Sequence, residues 1–305
     1  MSKGTRNDIA EFVPSHYTFK PVTKGYWATR LLLERLAELR PGSITLSMDL
    51  GISFKEYRIA RDGGKVFLFV NRTAIDLSKL RNAVRRKLTV YYSPNGCEWV
   101  PLEIRAGKAF YCLKAVGAYE SPTIEISGIH MHNIKDTTPW RDAKRKVLLL
   151  GVRRGDKVLE VGTGLGYTAI NSAKLGAEVL TIEKDENVLA LARFNPWSRG
   201  LASSNIRIVL GDAVDVIEHL PGECFDKILH DPPTFALAGQ LYSLSFYKQL
   251  HRVLRKGGLL FHYTGAPGAK RGLDIQKGVI RRLRVAGFEI VKVIKGYALV
   301  ARKGY

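Results

Sequence analysis

The chain has 305 residues, 46% of them apolar and 25% charged, which suits one large or two ordinary packed domains and excludes wholesale disorder. Its 48 Lys and Arg against 28 Asp and Glu leave a net +20, which disfavours a cationic substrate and favours a polyanionic partner, nucleic acid foremost. No apolar run reaches the roughly 18 residues of a membrane span, and the opening MSKGTRNDIAEF lacks a signal peptide's apolar stretch, so no membrane partner and a cytoplasmic location are expected.

Residues 1–135 read as a small β-rich domain with two helices. The first helix covers Trp27 to Leu39, with leucines at helical spacing, and stops at Pro41-Gly42. Val66 to Val70 reads as a buried strand. A second helix starts near Asp76 and carries Lys79, Arg81, Arg85, Arg86 and Lys87. Lys87–Tyr92 and Glu98–Ile104 flank Ser-Pro-Asn-Gly, a hairpin signal, because Asn and Gly tolerate positive φ. Thr123–Ile129 alternates as a half-buried strand does. His130 and His132 follow at a spacing that can hold a metal on a strand. Without a third ligand nearby they read as ordinary histidines. Cys97, Cys112 and Cys224 are odd in number and lack metal-ligand spacing, so neither a disulfide framework nor a metal site is expected.

Residues 136–142 form a joint, with Asp142 placed to cap a helix beginning at Ala143. From 136 to 305 strands and helices alternate, which implies crossover units and a parallel sheet. Strands are predicted at 157–161, 178–182, 206–209, 225–230, 259–263, 289–293 and 297–301. Helices are predicted at 166–175, 186–194, 242–254 and 273–286. The last two strands are joined by only three residues, Ile294 to Gly296, too few for a crossover, so they should be antiparallel.

The chemistry gathers at strand ends. Glu160-Val161-Gly162-Thr163-Gly164-Leu165-Gly166 runs from a strand through alternate glycines into a helix, where the backbone can approach a ligand with no Cβ in the way. The spacing differs from the dinucleotide pattern G-x-G-x-x-G. Glu183-Lys184 ends the next strand, and an acid there can take both hydroxyls of a ribose. Alone it reads first as a solvated carboxylate; beside the glycines it reads as a ligand group. Gly211-Asp212-Ala213 ends the third strand and either caps a turn or meets an adenine amino group. With these motifs in this order, residues 143–305 resemble the class I S-adenosylmethionine-dependent methyltransferases. The resemblance implies a seven-stranded Rossmann-like sheet with helices on both faces, S-adenosyl-L-methionine as cofactor, and methyl transfer to a nucleophile.

The fourth strand ends in Asp231-Pro232-Pro233-Thr234-Phe235. This resembles the signature of amino-directed methyltransferases, an Asp, Asn or Ser followed by Pro-Pro and an aromatic residue. In those enzymes the acid and the first proline's carbonyl accept the two N–H bonds of an exocyclic amino group and turn its nitrogen toward the methyl donor. Thr234 departs from the pattern where the aromatic residue stacks on the base, and Phe235 follows one position late. No Pro-Cys pair stands here, which argues against methylation at pyrimidine carbon 5. Between Lys248 and Lys303 there are 14 Lys or Arg against Asp274 and Glu289, with Lys270, Arg271, Lys277, Arg281, Arg282 and Arg284 in and around one helix. Together with Arg81, Arg85 and Arg86 these are the residues expected to meet RNA phosphates. The layout resembles a predicted archaeal methyltransferase family, which points to a cytosine of ribosomal RNA; the paucity of Gln, Met and Cys hints at a heat-adapted source. Two alternatives remain: a polyamine aminopropyltransferase, against which the positive charge argues, and a non-catalytic RNA-binding assembly factor.

Overall fold

The computed structural model describes residues 16–37, 40–70, 72–233, 235, 237–265 and 275–304. Its largest sheet follows from the alternating half of the chain. Strands β13 (Lys157–Val161), β14 (Glu178–Glu183), β15 (Ile206–Leu210), β16 (Phe225–His230) and β17 (Leu254–Tyr263) run parallel in the order β15-β14-β13-β16-β17. β18 (Phe288–Ile294) and β19 (Ala298–Lys303) close one edge as an antiparallel pair, as the short connection requires. The chain leaves β13 for β14 on one side and returns to β16 on the other. A crevice therefore opens at the carboxyl ends of these strands.

Helices cover both faces. α3 (Pro139–Leu150), α4 (Tyr167–Lys174) and α5 (Glu186–Arg193) bury one set of apolar residues against the sheet, among them Val147, Ile170 and Leu189. α6 (Ala213–His219), α7 (Leu244–Val253) and α8 (Ile275–Val285) bury another set, among them Ile217, Leu250 and Leu283. Among the described residues no helix is long and apolar enough to cross a membrane.

Several expectations are corrected. The sheet has eight strands, because β1 (His16–Tyr17) pairs antiparallel with β15. Trp27 is not helical; it lies in β2 (Tyr26–Ala28), and α1 spans Arg30–Ala37. The Thr29 hydroxyl accepts the Leu32 N–H and starts the helix there. Thr138, not Asp142, caps α3, since Pro139 takes the first helical position, where a missing N–H costs nothing. The second helix, α2, spans Leu77–Ala83 behind an Asp76 cap, so Arg85, Arg86 and Lys87 lie beyond it. Thr123–Ile129 breaks at Ser127-Gly128, both at positive φ, into a hairpin of β11 (Thr123–Ile126) and β12 (Ile129–His130).

The front half holds three small antiparallel sheets. β3 (Gly42–Leu46) to β6 (Thr73–Asp76) form one, and β9 (Glu103–Ala106) to β12 another. β2, β7 (Tyr91–Ser93) and β8 (Val100–Pro101) form the third. Here the predicted hairpin around Ser-Pro-Asn-Gly is present but short, because Leu102 leaves β8 to bond Val90 and Leu113. One apolar cluster joins the front and back of the chain, with Trp27, Leu50, Leu113 and Ile124 packed with Leu165, Tyr167 and Leu201.

Candidate active site

The crevice holds a cavity of about 540 Å³. Gly162, Thr163 and Gly164 at the end of β13 line it, with Glu183 and Lys184 after β14. Asp212 and Ala213 come from the end of β15, and Asp231, Pro232 and Pro233 from the end of β16. The motifs therefore converge from four neighbouring strand ends. β11 supplies Ile124 and Ile126 and the segment after β12 supplies Met131 and His132, so the front half walls the same cavity.

Local geometry explains the residue types. Gly162 and Gly164 sit at φ +90° and +54°, a region that L side chains avoid. A Cβ on Gly162 would stop 3.4 Å from the Asp231 carbonyl oxygen, and one on Gly164 would face only His132 Nε2 at 3.9 Å. Both glycines keep the floor of the cavity open. Glu183 accepts the Gly164 N–H at 2.9 Å and the Asp185 N–H at 3.0 Å, which aims its carboxylate across the cavity. Burial raises its carboxyl above the ordinary range against those two bonds. Lys184 pairs with Asp212 at 2.6 Å, and Asp212 also caps α6 through the Val214 N–H.

Two predicted residues stand behind the lining. Glu160 is buried in β13, where Thr168 and Thr181 donate to its carboxylate. Burial pushes its carboxyl up to about 7 against those bonds. Gly166, at φ +76°, caps α4 with its backbone pressed against Leu201. Phe235 is half-exposed and stacks edge-on with Tyr242 at 5.5 Å. Thr234, Lys270 and Arg271 lie outside the described residues.

Asp231 has company that the sequence did not announce. Lys146 on α3 is 5% exposed and donates to Asp231 Oδ2 at 2.5 Å. It also pairs with Asp142 at 3.0 Å and lies 4.3 Å from the Tyr263 ring centre. Burial would lower its ammonium pKa, but the two carboxylates outweigh that and raise it above the usual lysine value. His132 stays neutral, pushed down to about 3 by burial first and by Lys146 second. Its Nδ1 bonds the Thr123 hydroxyl at 3.0 Å. The only sequence signal for Lys146 was an i,i+4 Asp–Lys pair inside an otherwise apolar stripe of Ala143, Val147 and Leu150. Among the described residues no group of three or more His, Cys, Asp or Glu is arranged to hold a metal.

Beyond Asp231 a second cavity of about 360 Å³ shares Lys146, Asp231, Pro232 and Pro233 with the first. Tyr242, Tyr263, His130 and Ile134 are among its walls. The Tyr242 hydroxyl donates to the Pro233 carbonyl at 2.9 Å and steadies the Pro-Pro turn. The basic residues are dispersed. Arg81, Arg85, Arg281 and Arg284 are exposed, Arg86 pairs with Glu103 at 2.6 Å, and half-buried Arg282 turns toward Tyr247.

A methyl-donor nucleoside fits this open glycine floor, with a carboxylate at each neighbouring strand end and the crevice at the strand-order reversal. Residues 153–282 match the family described as Methyltransferase domain. The chain belongs to the class I S-adenosylmethionine-dependent methyltransferases, and its cofactor is S-adenosyl-L-methionine. Within that class it shares a family with an uncharacterized protein of Methanocaldococcus jannaschii, MJ1233, which is 40% identical over 276 residues, covering 88% of this chain and 92% of that one. A 23S rRNA (uracil(1939)-C(5))-methyltransferase, RlmD of Acidithiobacillus ferrooxidans, is 35% identical over 104 residues, 33% of this chain and 23% of that protein. Spermidine synthase from Thermotoga maritima superimposes with a TM-score of 0.51 at 20% identity, over 66% of this chain and 72% of that chain, a likeness of fold.

Proposed function

We propose that this methyltransferase acts on an exocyclic amino group of a nucleobase in RNA, with a cytosine of ribosomal RNA the substrate that the family resemblance points to. One observation carries the reading: Asp231 and Pro232 line both cavities, at the wall that a cofactor in one and a substrate in the other would share. Bound in the larger cavity, S-adenosyl-L-methionine supplies an electrophilic methyl group. Gly162 to Gly164 and Glu183 hold its nucleoside part, with Asp212 on the base side. In the smaller cavity the Asp231 carboxylate and the Pro232 carbonyl accept the two N–H bonds of the amino group. That orients the nitrogen lone pair toward the larger cavity and sets a negative charge beside a nitrogen that becomes positive. Tyr242 and Tyr263 offer the aromatic walls that Thr234 does not. A polyamine substrate is less suited, because Lys135 and Lys146 line this cavity.

RNA as the carrier of the base is supported by the net +20 and by a separate groove in the front half, which we read as an RNA-recognition unit over residues 1–135. This groove of about 900 Å³ is lined by Arg30, Arg61, Lys65, Arg81 and Arg85 against Glu34. Relatives named as ribosomal RNA methyltransferases point the same way.

Nucleoside mass spectrometry of RNA incubated with the protein and methyl-labelled cofactor tests the proposal. Label in an N-methylated cytosine is expected; label in a carbon-5 methylpyrimidine, or none, would overturn it. Single-turnover rates should fall in the order wild type, Asp231→Asn, Asp231→Ala. The Ala loss should be on the order of 10²-fold or more, as for other polar groups positioned for a transition state. A fully active Asp231→Ala enzyme would leave the turn purely structural.

A further inference from the structure

We propose that Asp142 and Lys146 form a brace that positions the Asp231 carboxylate, presenting one of its oxygens to the acceptor amino group. The inference rests on the amino-transfer reading and names residues that the signature of that reaction does not contain.

The geometry is that of a fixed mount. α3 places Asp142 and Lys146 one turn apart on its buried face, 4% and 5% exposed at their side chains. Asp142 Oδ1 accepts the Tyr297 hydroxyl at 2.8 Å and the Asn133 amide at 3.2 Å, while Oδ2 faces Lys146 at 3.0 Å. Asp142 is thus tied to the β18–β19 connection, to the segment after β12 and to its own helix. The Lys146 ammonium has three N–H bonds and three partners: Asp142, Asp231 Oδ2 and the face of Tyr263. It has no spare donor for a substrate and, being held protonated between two carboxylates, no lone pair to serve as a base. What remains for it is to fix Asp231.

Fixing matters because a carboxylate on a turn can swing about χ2, and a positioned acceptor loses its advantage when it strays by about half an ångström. With Oδ2 taken by Lys146, Oδ1 is the oxygen left to accept the amino N–H. The charges agree with this role. Two carboxylates and one ammonium sum to one net negative charge, which suits a nitrogen that gains positive charge. Lys146 paired with Asp231 alone would cancel that charge; Asp142 restores it.

The test compares Lys146→Met, Lys146→Arg, and the double variant Lys146→Met/Asp142→Asn. Single-turnover transfer to RNA is measured beside cofactor affinity by calorimetry. Lys146→Met should slow transfer by roughly 10²-fold, the scale of a lost transition-state positioning group. Its cofactor Kd should change far less than the rate, by under about tenfold, because Lys146 lines the first cavity only at the wall it shares with the second. Lys146→Arg should recover at least about tenfold of that rate, because it keeps charge and donors. The double variant separates positioning from burial. It removes the uncompensated Asp142 charge and so should restore stability while transfer stays slow. Recovery of the rate in the double variant would mean that Lys146 only neutralises Asp142, and would overturn the brace. A crystal structure of the double variant gives a readout without activity: Asp231 should change rotamer, and an unmoved carboxylate would equally overturn it. If wild-type enzyme labels no RNA, the amino-transfer reading fails on that arm alone, while the crystallographic arm still decides whether the brace sets Asp231.

Discussion

Glu160 shows how one buried carboxyl couples the site to pH. It is 1% exposed and rests on two threonine hydroxyls. Its carboxyl is raised from 4.5 to about 7, chiefly by burial, so the folded state holds a proton that the unfolded chain releases. The stability this contributes is full below the unfolded value of 4.5 and is lost as pH rises through about 7. His132 and His230, pushed down to about 3 and about 4 by burial, act in the opposite sense, adding stability as pH rises. The comparison must therefore be with Glu160→Gln, which keeps the shape and removes the titration. Chemical-denaturant unfolding should show wild type losing stability relative to Glu160→Gln between pH 5 and 7.5, by about 1–3 kcal/mol. Parallel curves would refute a raised Glu160. The sequence marks Glu160 by its place before the glycines, and nothing local shows that it stands behind the lining rather than in it. Burial behind the loop is a tertiary fact, and so is Lys146, since an Asp–Lys pair one turn apart usually marks a solvated helix face.

At the scale of elements, the strand–turn–helix unit from Glu160 to Lys174 was the most legible part of the chain. Apolar strand residues, glycines and an amphipathic helix each point to the same structure. Its glycines nevertheless have different tasks. A Cβ on Gly166 would lie 2.4–2.5 Å from three Leu201 side-chain atoms, whereas one on Gly164 would meet only His132 at 3.9 Å. Gly166→Ala should therefore cost about 2–4 kcal/mol, from left-handed strain of about 1–2 and overpacking of a similar size. Gly164→Ala should cost only the strain, yet weaken cofactor binding, because its Cβ enters the floor of the cavity. Urea unfolding and calorimetric titration separate the two; equal stability losses would contradict the packing described for Leu201. The elements of the front half were less legible. Trp27 continues a leucine-rich run and so reads as helix. In the fold its ring is buried and its indole N–H donates to the Phe194 carbonyl at 2.5 Å, which draws the residue into a strand. No local pattern carries a bond across 167 residues of sequence.

At the scale of the whole molecule, front and back are fastened at several points. β1 extends the main sheet, Tyr111 donates to Asp185 at 2.6 Å beside the larger cavity, and Trp197 donates to the Leu50 carbonyl at 2.9 Å. The basic groove between α1, the hairpin of β4 (Lys55–Asp62) and β5 (Lys65–Val70), and α2 is thus carried on the same packed body as Asp231, so RNA bound there as proposed would reach the site at a set distance. Each phosphate contact adds about 0.7 to the slope of log K against log salt for a single strand. Replacing Arg30, Arg81 and Arg85 together by Ala should therefore flatten the slope by roughly 2. Cofactor affinity should not change, since none of the three lines the larger cavity. Arg281→Ala/Arg284→Ala on α8 gives the competing prediction, because those side chains are exposed on the opposite face of the sheet from α3. If RNA runs from the groove to the smaller cavity along the front half, the α8 pair leaves the slope at its wild-type value. Filter-binding isotherms over a range of potassium chloride read both. A slope lowered by the α8 pair and untouched by the three groove arginines would move the RNA path to the other face.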